Sequence, residues 1–446
     1  MIQDDHLILM LALYLAVLIF ALYYFLRKKI PTVGIPIAYL FNLSMNHFFG
    51  ALVYAMPWWH SDDYECTYLG FQLTLYGITA FIFGCTVLGP FYIRSFIPKP
   101  NEHAFKVPKN LPSRYLLLGF FFFFICGKFL TKIPSIGTFV QSGWYLLITA
   151  VCLFCWKAWI EKKPSKIFWW MVFSLLFPFF TTFNSGFLGL GTVALMSVLF
   201  FVCSFFKPRW VVVVSILVSI YLGLSLCVTY FRDRNELRES IWYNQESKGE
   251  VFQHIATSLS NFEFLDLRNN SHLERIDGRL NQNQLAGKAV LYIRDGNTSF
   301  AHGRTLLGAV LFLVPRIFWP GKPVMGTSDD VTEFTGIAYN DTTTVAMGQV
   351  MEFYVNFGVP GVIICFILLG AVMACFDYMA ATSLLRGNWQ KFTFWFLPGL
   401  GFMLSGDAFA AVTGSVAATM IFCFFIHRYM LKDFPLIKLI RRRKMA

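Results

Sequence analysis

Long apolar runs separated by short basic connections dominate this chain, and the runs are continuous rather than striped, as helices surrounded by lipid require. Crossing a hydrocarbon core of about 30 Å takes roughly 20 such residues. Runs of this kind are expected at 7–26, 34–56, 68–92, 115–131, 142–160, 167–181, 187–206, 210–230, 353–376, 392–406 and 410–428. The expected fold class is an all-α polytopic membrane protein with about eleven transmembrane helices. Composition agrees: 57% of residues are hydrophobic and only 14% are charged, against about a quarter in a soluble domain.

The pattern breaks once, between 231 and 350. The expected organisation is therefore an N-terminal bundle (1–230), a long outward segment (231–350) and a C-terminal bundle with a basic tail (351–446). Within the outward segment, Leu273, Ile276 and Leu280, with Arg275 and Arg279 one turn apart, have helical spacing. The stretch 305–319 is apolar but too short to span, so it is expected to lie against or dip into the membrane. Pro315, Pro320 and Pro323 interrupt any continuous helix there. Residues 324–346, rich in Thr, Gly and Asp, read as loop.

Charge decides the expected orientation. The connections taken as cytoplasmic hold 23 Lys and Arg against 4 Asp and Glu, and the remainder holds 14 against 21. The formal charge of +12 thus reports topology and gives no reason to propose nucleic acid as a partner. The amino terminus is expected outside and the carboxyl terminus inside. Arg27, Lys28 and Lys29 after the first run mark it as a retained anchor rather than a cleaved signal peptide. Of ten cysteines only Cys66 is expected in an exterior loop, which supports no disulfide framework, and the Cys152/Cys155 pair reads as packed small side chains.

The chemistry is expected on the outer face. Arg232, Arg275, Arg279, Arg304, Arg316 and Lys322 are the candidate substrate-binding cations, within a larger set that includes Arg234, Arg238, Arg268 and Arg294. A guanidinium donates paired hydrogen bonds to phosphate and stays charged, and each charged bond contributes about 1.5–3 kcal/mol. The bland alternative is pairing with the equally numerous carboxylates nearby. Glu352, Asp277 and His302 are the candidate bases, with Glu274 and His272 behind them. The bland reading of Glu352 is a carboxylate stabilising the start of its own helix. Asn42, Asn46 and His47 on the second run read as interhelical hydrogen bonding. No metal-ligand cluster, Walker motif or dinucleotide glycine motif is expected to operate, and no cofactor is implied.

Three stretches, RIDGRLNQNQ (275–284), HGRTLLGAVLFLVPRIFWPGKP (302–323) and GQVMEFYVNFGVPGV (348–362), resemble the bacterial oligosaccharide repeat-unit polymerases of the O-antigen polymerase (Wzy) group. Members of that group often carry an arginine after small residues near mid-chain, where this sequence has NSGFLGLG (184–191) without one. The resemblance implies a GT-C-like fold in the bacterial inner membrane with a periplasmic cavity. It implies a metal-independent glycosyltransferase that moves a glycan from undecaprenyl diphosphate to the non-reducing end of another lipid-linked repeat. A chain-length regulator protein would be a further partner. Competing readings are an O-antigen ligase, a transporter of lipid-linked or anionic substrates, and a non-catalytic scaffold for surface polysaccharide assembly.

Overall fold

The computed structural model describes residues 2–27, 30–96, 107–108, 110–130, 136–206, 209–242, 248–312, 314, 319, 321, 328–339 and 345–431. Among them every regular element is helical. The first half comprises α1 (Ile2–Arg27), α2 (Ile35–Val53), α3 (Tyr64–Phe83), α4 (Gly89–Phe96), α5 (Leu111–Phe120), α6 (Gly127–Leu130), α7 (Ile136–Ile160), α8 (Pro164–Ser174), α9 (Leu176–Ser185) and α10 (Gly189–Phe205). The second comprises α11 (Arg209–Trp242), α12 (Lys248–Ser260), α13 (Asn270–Leu280), α14 (Asn283–Arg294), α15 (Arg304–Leu311), α16 (Ser328–Thr335), α17 (Gln349–Leu385), α18 (Trp389–Gly401) and α19 (Phe409–Phe425). Wider π-helical turns at Gly84–Leu88 and Phe121–Cys126 carry α3 into α4 and α5 into α6.

Eight helical stretches among the described residues are long and apolar enough to cross a bilayer: Asp5–Leu26, Tyr64–Ile93, Leu111–Leu130, Ile136–Ile160, Pro164–Asn184, Trp210–Glu239, Gln349–Leu385 and Phe409–Met430. The chain is a helical, membrane-embedded protein. The three other expected crossings fall on α2, which carries Asn42, Ser44, Asn46 and His47, and on α10 and α18, with 17 and 13 residues.

The segment between the two bundles is built into them rather than hung beside them. Helix α13 packs on α2, and α14 lies along the start of α3. Glycines permit the second contact: a Cβ on Gly70 would strike the backbone of Asn283, and one on Gly287 would strike the carbonyl of Cys66. The same device joins α3 to α17 further down, where Gly84 faces Ile367 and Gly370 faces Phe81. Cys66, expected in a loop, is therefore buried in the first turn of α3.

A buried polar network pins this docking. Asn283 donates to the carbonyl of His47 at 2.7 Å and shares its oxygen with the His47 ring and the Thr74 hydroxyl. Asp277 accepts from Asn281 at 2.7 Å and from Tyr54 at 3.1 Å. Asn42 and Asn46 reach the turn between α18 and α19 through Met403 and Ser405. The polar residues of α2 thus make interhelical hydrogen bonds, which keep polar groups satisfied where water is scarce.

Three local expectations change. The boundary drawn at 230 falls inside α11, which continues to Trp242 as one helix. The loop expected over 324–346 contains α16, whose first turn carries Asp329 and Asp330, where the helix dipole favours negative charge, and whose Val331 and Phe334 are buried. Helix α17 begins earlier than expected and breaks at Phe357 and Gly358, the latter with φ of +65°, just before Pro360. The freed carbonyl of Val355 there accepts from the Ala301 N–H at 2.8 Å. The first part of the short apolar stretch forms α15, packed on α17 and α19 with Leu307 and Val310 exposed, and residues 313 and 315–318 lie outside the described residues.

Candidate functional site

The membrane half of α11 stands away from the bundle. Val213, Val214, Leu217 and Val218 are at least half exposed, and the helix packs chiefly on α12 and α13 at its far end. Between it and α10 lies a cavity of about 950 Å³, at the upper end of the range of about 300–1,000 Å³ usual for small-molecule sites. Its walls are apolar, with Leu195, Leu199 and Val202 from α10, Val218, Leu222 and Leu226 from α11, Phe41 and Met45 from α2, and Ile167 and Met171 from α8. The lining follows α10 from Leu188 to Phe206, about 27 Å at 1.5 Å per residue, which is close to the depth of a hydrocarbon core.

One end of this trough is polar. Arg234 and Arg238 of α11, Arg279 of α13, and Asn42, Asn46, Gln282 and Asp407 meet there. Four residues separate Arg234 from Arg238, so one helix face presents both. The Arg238 guanidinium lies over the Phe187 ring, 4.8 Å from its centroid. The Tyr230 hydroxyl donates to the Gly186 carbonyl and stands beside both arginines of α11. Partial desolvation and the neighbouring charge of Arg238 lower the pKa of the Arg279 guanidinium, whose side chain still reaches solvent. Among the described residues neither Arg234 nor Arg279 forms an ion pair with a carboxylate, so the cluster has charge available for an incoming anion.

The sequence candidates divide accordingly. Arg279 is in the cavity. Arg232, two residues before Arg234, points away and pairs with Asp233 and Glu263, each at 2.7 Å. Arg275 also holds Glu263, at 2.9 Å. Burial alone would raise the Glu263 carboxyl, but these two arginines outweigh it and hold it below the ordinary range. Arg304 pairs with Glu333 and lies near Asp330, which raises its pKa. Arg316 and Lys322 lie outside the described residues.

None of the candidate bases lines the cavity. Asp277 is held in the buried network by Asn281, Tyr54 and Gln284. Glu352 is 1% exposed and accepts from the Phe409 backbone. His302 is exposed, with a left-handed backbone at φ of 47°. Sequence reasoning left Arg234 and Arg238 in the background because it ended the eighth span at 230. Extending the helix three more turns would have put the pair on one face. It missed Asp407, the acidic residue of a three-residue link between two apolar runs.

A family model matches residues 78–438 and so takes in the whole arginine cluster and most of the trough. The chain belongs to the family described as Domain of unknown function (DUF8712). No curated protein and no solved structure matches it. What the DUF8712 region adds is extent: α10, α11, α13 and the turn that carries Asp407 lie within the matched region, whereas Asn42 and Asn46 of α2 lie before it.

Proposed function

We propose that this protein is a glycosyltransferase at the periplasmic face of the bacterial inner membrane that polymerises lipid-linked oligosaccharide repeat units, moving the glycan from undecaprenyl diphosphate to the non-reducing end of another lipid-linked repeat. In this reading the fold is GT-C-like with about eleven crossings, the amino terminus is periplasmic and the carboxyl terminus cytoplasmic. A single observation carries it: Arg234, Arg238 and Arg279 gather at one end of an apolar trough nearly as long as a bilayer leaflet pair is deep.

A lipid diphosphate has the shape this arrangement takes, with a long hydrocarbon tail ending in a charge that grows when the sugar departs. The trough accepts the tail from the side, since α11 is loosely held. The guanidinium groups meet the leaving diphosphate, and cations fixed in place beside apolar walls stabilise such developing charge better than mobile ions in water do. Held there, donor and acceptor react as neighbours.

The test is a strain lacking the native copy and carrying variants with Arg234, Arg238 and Arg279 each changed to Ala. Wild-type protein should restore polymer ladders on gels, and the variants should leave single repeats despite normal protein levels. Full-length ladders from all three variants would contradict the reading. Accumulated lipid-linked polymer would indicate a ligase instead.

A further inference from the structure

We propose that Asp407 accepts the proton of the hydroxyl that attacks the lipid-linked sugar, which makes it the catalytic carboxylate of the cavity; this rests on the glycosyl-transfer reading above. Asp407 is the one carboxylate among the described residues that lines the trough. Among the described residues every other buried acidic side chain has a structural partner. Asp277 takes hydrogen bonds from Tyr54 and Asn281, Glu352 from the Phe409 N–H, and Asp377 from the Val33 and Ile35 N–H groups. The Asp407 carboxylate has neither a hydrogen-bond donor nor a cation on it among the described residues, and it is half-buried in the cavity lining.

The turn that carries it is rigidly held. Ser405 accepts from Asn46 at 3.1 Å and from Asn42 at 3.3 Å, and its carbonyl accepts from the Gln349 N–H. The Gly406 carbonyl accepts from Gln282 Nε2 at 3.2 Å. Gln282 stands three residues beyond Arg279, so one short stretch of chain links the cationic side of the mouth to the acidic side. A carboxylate left without a partner on an anchored turn has a role beyond packing, because even partial burial of an unpaired acid is costly.

Proton transfer follows directly. The acceptor oxygen forms a bond to the anomeric carbon, the bond from that carbon to the diphosphate oxygen breaks, and the electron pair leaves on the diphosphate among Arg234, Arg238 and Arg279. The hydroxyl proton passes to Asp407. The acceptor is therefore an alcohol, as a sugar hydroxyl is. Burial pushes the Asp407 carboxyl up to about 6, which suits a base working near neutrality. The titratable group that feels the Asp407 charge is Tyr145 of α7, while Arg234, Arg238 and Arg279 line the same cavity.

The experiment uses purified full-length protein in nanodiscs, with the lipid-linked repeat unit extracted from the deletion strain as donor and acceptor. Asp407→Asn should lower transfer by about 100-fold or more while keeping undecaprenyl diphosphate affinity within about twofold, read by quenching of tryptophan fluorescence. Wild-type transfer should rise with pH through about 6, and Asp407→Glu should keep partial activity with a displaced profile, which decides the matter should the Asn variant misfold. An Asp407→Asn enzyme within about threefold of wild type, with the same pH profile, would overturn the assignment and leave the glycosyl-transfer reading standing. A wild-type protein that transfers nothing would sink both.

Discussion

The carboxylate of Glu352, near the start of α17, accepts a hydrogen bond from the backbone N–H of Phe409 at 2.6 Å and so caps the first turn of α19. A helix start leaves its first N–H groups without partners, and here a carboxylate from a neighbouring helix supplies one. Glu352→Ala removes that acceptor from a buried site, and the loss should be about 1–3 kcal/mol. Thermal unfolding in detergent should show a lower midpoint for Glu352→Ala, with Glu352→Gln between it and wild type. Per folded molecule, transfer by the Gln variant should be close to normal; complete inactivity in a fully folded variant would restore Glu352 as a base.

The division between cavity arginines and paired arginines makes a second expectation. Arg234→Ala and Arg279→Ala should each weaken undecaprenyl diphosphate binding by roughly 10- to 100-fold, the equivalent of one charged hydrogen bond of about 1.5–3 kcal/mol. Arg304→Ala should change it by less than about threefold, since that guanidinium already has Glu333 and exposed pairs contribute little. Fluorescence titration of the purified variants checks both. Equal losses at all three positions would mean a diffuse cationic surface rather than a site.

Two glycines nine residues apart, Gly278 and Gly287, test the docking of the central segment. Gly287 faces the Cys66 carbonyl with no room for a methyl group, whereas Gly278 of α13 has open space around it. Gly287→Ala should push α14 off α3 and lower the thermal midpoint markedly. Gly278→Ala should be neutral or stabilising, by up to about 1 kcal/mol, because Ala is the better helix former. Parallel unfolding curves settle it, and equal destabilisation would contradict the packing described.

Glu263 gives stability a pH dependence. Burial opposes its charge, but Arg232 and Arg275 outweigh that and keep its folded pKa below the ordinary carboxylate value. A depressed carboxylate contributes stability that is fully present above the unfolded pKa and lost as pH falls through the folded one. The contribution should therefore be intact at pH 7 and disappear on acidification below about pH 4. Glu263→Gln should lower the neutral-pH midpoint and flatten its acid-side decline; an unchanged curve would argue that the cluster contributes nothing.

Much of this architecture is legible in the chain because lipid-facing helices announce themselves by length. The Leu273, Ile276 and Leu280 spacing gave α13 its buried face, and all three residues are buried. The functional mouth was harder to read. Arg234 and Arg238 follow an apolar run whose helix does not stop where its hydrophobicity stops, and only the four-residue spacing hints at a shared face. Arg275 and Arg279 share the same spacing, yet one meets Glu263 and the other the cavity, a difference set by the distant residue 263. Tertiary partners likewise decide Glu352, whose cap belongs to a helix nearly sixty residues on, and α16, whose buried Phe334 outweighs its loop-like composition.

The central claim is that a polyprenyl diphosphate lies in the trough between α10 and α11 with its charge on the arginines. Photo-crosslinking with a polyprenyl diphosphate bearing a photoreactive group in its tail, followed by peptide mass spectrometry, tests it directly. The expected result is labelling near Leu199 and Leu222 that undecaprenyl diphosphate competes away and that Arg279→Ala diminishes. Labelling spread over outward-facing helices such as α1, with no competition, would contradict the account.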